Sequence, residues 1–183
     1  VTRARLTIED WKAIFNSTPE GHFIRNAMLL ALVTGQRRED ICLMKFTDVW
    51  DGHLHVEQGK TGVRLALPLT LHCDAIGMTL KEVIEGCRDR ILSPYLIHSR
   101  HQRKTKPMSK DGLSDYFAEA RDRAGFATPE GKTPATFHEQ RSLAERLYRA
   151  QGVDTKTLLG HKVQATTDRY NDSRGQEWVK LVV

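Results

Sequence analysis

The run Ala27 to Val33, wholly apolar and followed by Gly35, limits what this chain can fold into more than any other segment. It falls far short of the roughly 20 apolar residues that span a bilayer. It reads instead as the core stretch of a helix from about His22 to Thr34, which Gly35 stops as a left-handed cap. Other helices have to surround such a segment. One is expected from Thr7, with Asp10 three residues on and Trp11, Ile14 and Phe15 as its apolar stripe. Another begins near Arg37, with Glu39 and Asp40 in its first turn and Ile41 and Met44 turned inward.

After Asp51-Gly52 the apolar period changes to two: Leu54 and Val56, then Val63, Leu65 and Leu67, with Gly59-Lys60-Thr61-Gly62 between the runs. That pattern predicts a small antiparallel hairpin. Thr79 with Glu82 predicts a capped helix to about Leu92, and Tyr95–His98 a short strand. From Arg90 to Lys110 there are cations and no acid, an exposed basic loop. Ser109 opens a helix carrying Leu113, Tyr116, Phe117 and Ala120 and ended by Gly125. Thr136 with Glu139 predicts a further capping box, for a helix to about Gln151. Short helices follow around Asp154–Leu159 and Val163–Tyr170, and Trp178–Val183 closes the chain as an apolar segment. The expected fold class is α+β: one mostly helical domain over residues 1–183 with a small peripheral antiparallel sheet.

Composition narrows the function classes. Apolar residues make up 39% of the chain, which excludes disordered and low-complexity classes. Cys42, Cys73 and Cys87 form no CxxC pair, so neither a disulfide framework nor a cysteine-rich zinc site is expected, and a reducing interior fits best. A net charge of +5 makes a polyanion the first partner to consider, and no membrane is expected as a partner. The chain starts at Val1 with neither Met nor a signal-like segment, and reads as an excised fragment.

Two familiar motifs fail on inspection. Gly59-Lys60-Thr61 has the tail of a phosphate-binding loop, but Leu54 stands where the first glycine belongs and a strand follows. His138-Glu139-Gln140-Arg141-Ser142 begins like a zinc-protease helix, but Ser142 occupies the place of the second histidine, and no metal is expected.

What remains is a set of cations at structural punctuation. Each has a bland reading: Arg37 as a solvated partner of Asp40, Lys60 as a turn lysine, and His138 and Arg141 as one packed and one surface residue. His161 could face the last carbonyls of a helix, and Tyr170 could be half-buried core. Together they form an ordered pattern: Thr34-Gly35-Gln36-Arg37, Lys60 in a hairpin, His138-Glu139-Gln140-Arg141, Leu159-Gly160-His161, and Tyr170 nine residues on. That order and spacing resemble the catalytic domain of the tyrosine recombinases, or phage integrases, from Arg5 through Trp178. Gln140 departs from it, standing where that family usually has an apolar residue.

The resemblance implies cleavage of one DNA strand by Tyr170, leaving a 3′-phosphotyrosine and a free 5′-hydroxyl. It implies that Arg37 and Arg141 offer bidentate forks to the scissile phosphate, that His138 and His161 complete the cradle, and that His138 takes or relays the tyrosine proton. Lys60 resembles the family's general acid, and Asp40 the acid that orients the site. Neither metal nor other cofactor is implied, since the covalent intermediate conserves the phosphodiester energy. Arg100, Arg103, Lys104 and Lys106 of the basic loop would meet backbone phosphates, which fix position and not sequence. The implied partners are double-stranded attachment sites, three further copies in a homotetramer on DNA, and host DNA-bending proteins. The implied location is the cytoplasm of a bacterial host, the gene being phage or prophage encoded. The core-binding and arm-binding domains that precede such a catalytic domain are expected to lie outside this chain. Trp178–Val183 is expected to pack as a strand, on its own sheet or on a neighbouring protomer. The alternatives are a non-catalytic DNA-binding module derived from an integrase and a type IB topoisomerase. The filled reacting positions argue against the first, and the integrase-like segments outside the site against the second.

Overall fold

The computed structural model describes residues 1–101, 106–161 and 177–183. Its elements, in chain order, are β1 (Thr2–Arg3), α1 (Ile8–Ser17), α2 (Phe23–Thr34), α3 (Arg38–Leu43), β2 (Val49–Trp50), β3 (His53–Glu57) and β4 (Arg64–Pro68). There follow β5 (His72–Cys73), β6 (Met78–Thr79), α4 (Leu80–Gly86), α5 (Lys110–Arg123), β7 (Lys132–Thr133), α6 (Glu139–Ala150), α7 (Thr155–Leu158) and β8 (Val179–Lys180).

Helix α2 is the axis of the molecule. It packs against α3, α4, α5 and α6, and Ala27, Met28 and the stretch from Leu30 to Thr34 are buried, as an all-round apolar helix requires. His22 caps its start through Nδ1, and Gly35 ends it with φ +65°. A Cβ at Gly35 would also sit 3.3 Å from the Leu159 side chain, so the α2–α3 turn lies close against the end of α7. Near the end of α2, buried Tyr148 of α6 donates its hydroxyl to the Val33 carbonyl at 2.6 Å. The Gln140 amide, fully buried, accepts the Trp11 indole N–H at 2.9 Å, which explains a polar residue at a core position.

The hairpin forms with Leu54 opposite Leu67 and Val56 opposite Leu65. It is part of a four-stranded sheet in the order β2-β3-β4-β8, in which β8 joins β4 in parallel. The C-terminal strand therefore docks on its own sheet, with Leu181 buried beneath it. Its arrival hides the face that the period-two pattern left to solvent. His55 stacks on Trp50 at 3.5 Å and meets Trp178 edge-on at 4.9 Å, while Arg64 lies over Trp178.

Three local expectations change. Helix α4 stops at Gly86 instead of Leu92, because Asp89 turns the chain by accepting the Ile91 N–H and facing His98. Tyr95–His98 is no strand; Tyr95 makes one isolated bridge to Lys45. The Thr136 capping box does not form. His138 is the first residue before α6, without a side-chain cap bond.

Candidate active site

Three segments distant in sequence meet at a cleft of about 550 Å³ lined by Arg37, Lys60 and His138, together with Arg3, Arg38, Glu39, Ser114, Asp115, Ala118, Arg121 and Thr136. Each segment is aimed by a local device. The Gly35 turn reverses the chain, so that Arg37 begins α3 at the end of α2. The hairpin carries Lys60 at its exposed tip. His138 stands at the start of α6.

Arg37 does not pair with Asp40, which was its bland reading. Its Nη1 is buried and has no hydrogen-bond partner among the described residues. The hydroxyl of Thr136, a residue that lines the same cleft, is also buried with no partner among the described residues. Buried polar groups are ordinarily hydrogen-bonded, so two unmet donors on residues that line one cleft mark it as a candidate site.

Arg141 sits beneath this cleft, 8% exposed. Its Nη1 donates to the Gly35 carbonyl and its Nη2 to the Leu159 carbonyl, both at 2.8 Å. One N–H on each terminal nitrogen of Arg141 is thus taken by a backbone carbonyl. Desolvation, followed by the charge of Arg37, pushes its pKa down to about 10. Asp40 is buried and accepts the Gly59 N–H through Oδ1 at 2.9 Å, while Oδ2 has no partner among the described residues. Burial pushes its pKa up, against the lowering effect of that N–H. Partial desolvation, and then Arg141, lowers the pKa of His138. His161 is exposed, just beyond the left-handed Gly160, and does not line the cleft.

Arg100 and Lys106 are exposed and flank the basic loop away from the cleft lining. Arg103, Lys104 and Tyr170 lie outside the described residues, as does the expected helix at Val163–Tyr170. Arg3, Arg38 and Arg121 do not stand out in the sequence, and Thr136 does so only as a capping residue; Arg3 sits where β1 pairs with β7, a contact between distant parts of the chain.

The family model described as "Phage integrase family" matches residues 4–177. The integrase of Enterobacteria phage P21 is 50% identical over 184 residues, covering 98% of this chain and 48% of that protein. The catalytic core of lambda integrase superposes with a TM-score of 0.83 at 38% identity, covering 99% of this chain and 100% of that one. A lambda integrase tetramer bound to a Holliday junction matches with a TM-score of 0.81 at 41% identity, covering all of this chain and 52% of that one. The chain spans about half the length of the full-length relatives it matches.

Proposed function

The chain belongs to the phage integrase family, and on that premise we propose that it is the catalytic domain of a site-specific DNA recombinase working through a 3′-phosphotyrosyl intermediate. The observation that carries this reading is the convergence of Arg37, Lys60 and His138 on one cleft, where a buried Arg37 N–H and the Thr136 hydroxyl have no partner among the described residues.

The phenol oxygen of Tyr170 attacks the scissile phosphorus. A tyrosyl P–O bond forms and the bond to the 5′ oxygen breaks. Charge on the non-bridging oxygens meets Arg37, backed by Arg141; His161, outside the cleft lining, would have to approach the phosphate when DNA is bound. Donors aimed at developing charge in a preorganised site commonly supply the largest catalytic effect. The phenol is neutral at pH 7 unless perturbed, so its proton must go to a base. His138 suits that part, because its lowered pKa keeps the imidazole neutral. The Lys60 ammonium gives its proton to the departing 5′ oxygen, which leaves as a hydroxyl. Asp40 holds the hairpin through Gly59 and does not react. Attack of a 5′-hydroxyl on the phosphotyrosine reverses each step and rejoins a strand.

The partner is a duplex attachment site. A homotetramer is the working assembly, by analogy with the tetrameric relative on its junction. Core-binding and arm-binding domains would precede this one, host DNA-bending proteins would shape the complex, and the setting is the cytoplasm of a bacterial host. No helix among the described residues is long and apolar enough to cross a membrane.

The test is incubation with a duplex nicked next to the attachment sequence, then denaturing gel electrophoresis. The wild-type chain should give a covalent protein–DNA band, and Tyr170→Phe none, with DNA affinity nearly unchanged. A Phe variant that still traps DNA at the wild-type level would assign the nucleophile elsewhere. A wild-type chain that binds but never traps would make this a DNA-binding module.

A further inference from the structure

Lys60 sits on an exposed hairpin tip while Arg37 and His138 stand at the starts of packed helices, so its reach depends on what anchors the tip. Two buried glutamines do this, Gln36 at 2% exposure and Gln58 at 1%. Gln58 Nε2 donates to Gln36 Oε1 at 2.8 Å and to the Leu159 carbonyl at 3.1 Å, and its Oε1 accepts the Thr61 hydroxyl at 2.6 Å. Gln36 Nε2 donates to the Thr34 and Leu158 carbonyls, each at 2.8 Å. Every acceptor of these amide N–H groups is a carbonyl oxygen, so neither side chain can be flipped without losing its bonds.

The same carbonyl of Leu159 takes the bond from Arg141 Nη2. One network thus links the turn before Arg37, the residue two before Lys60, the guanidinium of Arg141 and the segment two residues before His161. The contact is close enough to dictate its neighbour. A Cβ at Gly160, where φ is +73°, would lie 2.3 Å from Gln58 Oε1. Any other residue there would displace the Gln58 amide. The adjacent Gly59 N–H is held by Asp40, so the chain is fixed on two consecutive residues before Lys60.

An apolar side chain could fill the Gln58 site, whereas buried amides are tolerated only when fully paired. The network therefore serves geometry more than stability. We propose that Gln58 is a positioning residue for strand cleavage, setting the reach of Lys60 toward the leaving oxygen. This rests on the reading of Lys60 as the proton donor given above.

The test uses two nicked attachment-site duplexes that differ only in an oxygen or a sulfur at the bridging 5′ position. A thiolate leaves without a proton, so a defect in proton donation is relieved by sulfur and a general structural defect is not. Gln58→Met keeps volume and removes all three amide bonds. It should slow cleavage of the oxygen duplex by about 10–100-fold, within the range expected of misplaced or lost acid catalysis. On the sulfur duplex its deficit should shrink to below about threefold, with DNA affinity held, because only the protonated step is affected. Should Gln58→Met fail to fold, as judged by its thermal melt, Thr61→Val deletes the hydroxyl that donates to Gln58 and accepts the Val63 N–H, and should show the same sulfur relief from a smaller deficit. An equal deficit on both duplexes, or none on either, overturns the proposal. Lys60→Ala run alongside separates the two layers. If sulfur rescues Lys60→Ala but not the Gln58 variant, positioning by Gln58 is wrong and the acid stands. If sulfur fails to rescue Lys60→Ala, the acid itself is misassigned and the proposal falls with it.

Discussion

Arg37 and Arg141 carry the same charge and are put to different uses by what surrounds them. Arg141 is desolvated and fastened to two carbonyls, whereas Arg37, which lines the cleft, keeps a buried N–H with no partner among the described residues. His138 lies beside both, and their charges add to desolvation in lowering its pKa below 6.5. The sign follows directly. At neutral pH the ring is uncharged and can take the phenol proton; as pH falls through the lowered pKa it becomes cationic and cannot. Single-turnover cleavage followed between about pH 5 and pH 8 should therefore show an acid limb whose midpoint lies below 6.5, the unperturbed value. His138→Gln should lower the plateau by about 10²–10⁴-fold if the ring is the base, and abolish that acid limb. A limb centred above pH 6.5, or one surviving in the Gln variant, contradicts the assignment. At this scale the sequence was readable where spacing carries meaning: Arg37 after its glycine, and His138 with Arg141 three residues on. It was silent on Gln36 and Gln58, because glutamines near turns look solvated, and nothing local says that amides at positions 36 and 58 share the Leu158–Leu159 carbonyls.

The elements whose signals are local came through: the Thr7 capping box, the Gly35 stop, the hairpin and the Ser109 cap all stand as the residues indicate. Elements set by distant contacts did not. Thr136 and Glu139 have capping-box spacing, yet the backbone before α6 places His138 at the cap and leaves Thr136 facing the cleft. Cover on the outer hairpin face comes from Trp178, far along the chain. The α2–α6 contact shows what such long-range ties contribute. The Val33 carbonyl lies in the last turn of α2, where helix carbonyls lack intrahelical donors, and Tyr148 supplies the missing one. Tyr148→Phe keeps the ring and leaves that carbonyl buried and unmet. It should cost about 1–3 kcal/mol of folding stability, the usual penalty for stranding one buried partner. Urea unfolding of the two chains at equal slope gives the difference directly, and a change below about 0.5 kcal/mol, the level of an ordinary surface substitution, would mean that water replaces the hydroxyl.

Charge is the property that belongs to the molecule as a whole. A net +5 over 183 residues is modest, but it is not evenly spread: the cleft gathers Arg3, Arg37, Arg38, Lys60 and Arg121 against Glu39 and Asp115. Concentrating cations in a concave surface raises the local potential and draws in a polyanion before any specific contact forms. Each phosphate neutralised on duplex DNA releases condensed counterions, so log K should fall with log salt by about 0.9 for every such contact. Some five contacts from the cleft would then lower affinity by about 10²–10³-fold between 50 and 200 mM salt, with binding already weak at the upper end. Arg3 allows a clean subtraction. It is exposed on β1, it lines the cleft at its edge, and it has no part in the proposed chemistry. In anisotropy titrations across a salt series, Arg3→Ala should reduce the slope by about 0.9, one phosphate contact, and weaken binding most at low salt. Its rate of covalent trapping at saturating DNA should stay at the wild-type value. A wild-type slope near zero would mean that the cleft does not track the phosphate backbone. An unchanged slope in the variant would place the path of the duplex away from the β1–β7 edge, toward the flank marked by Arg100 and Lys106.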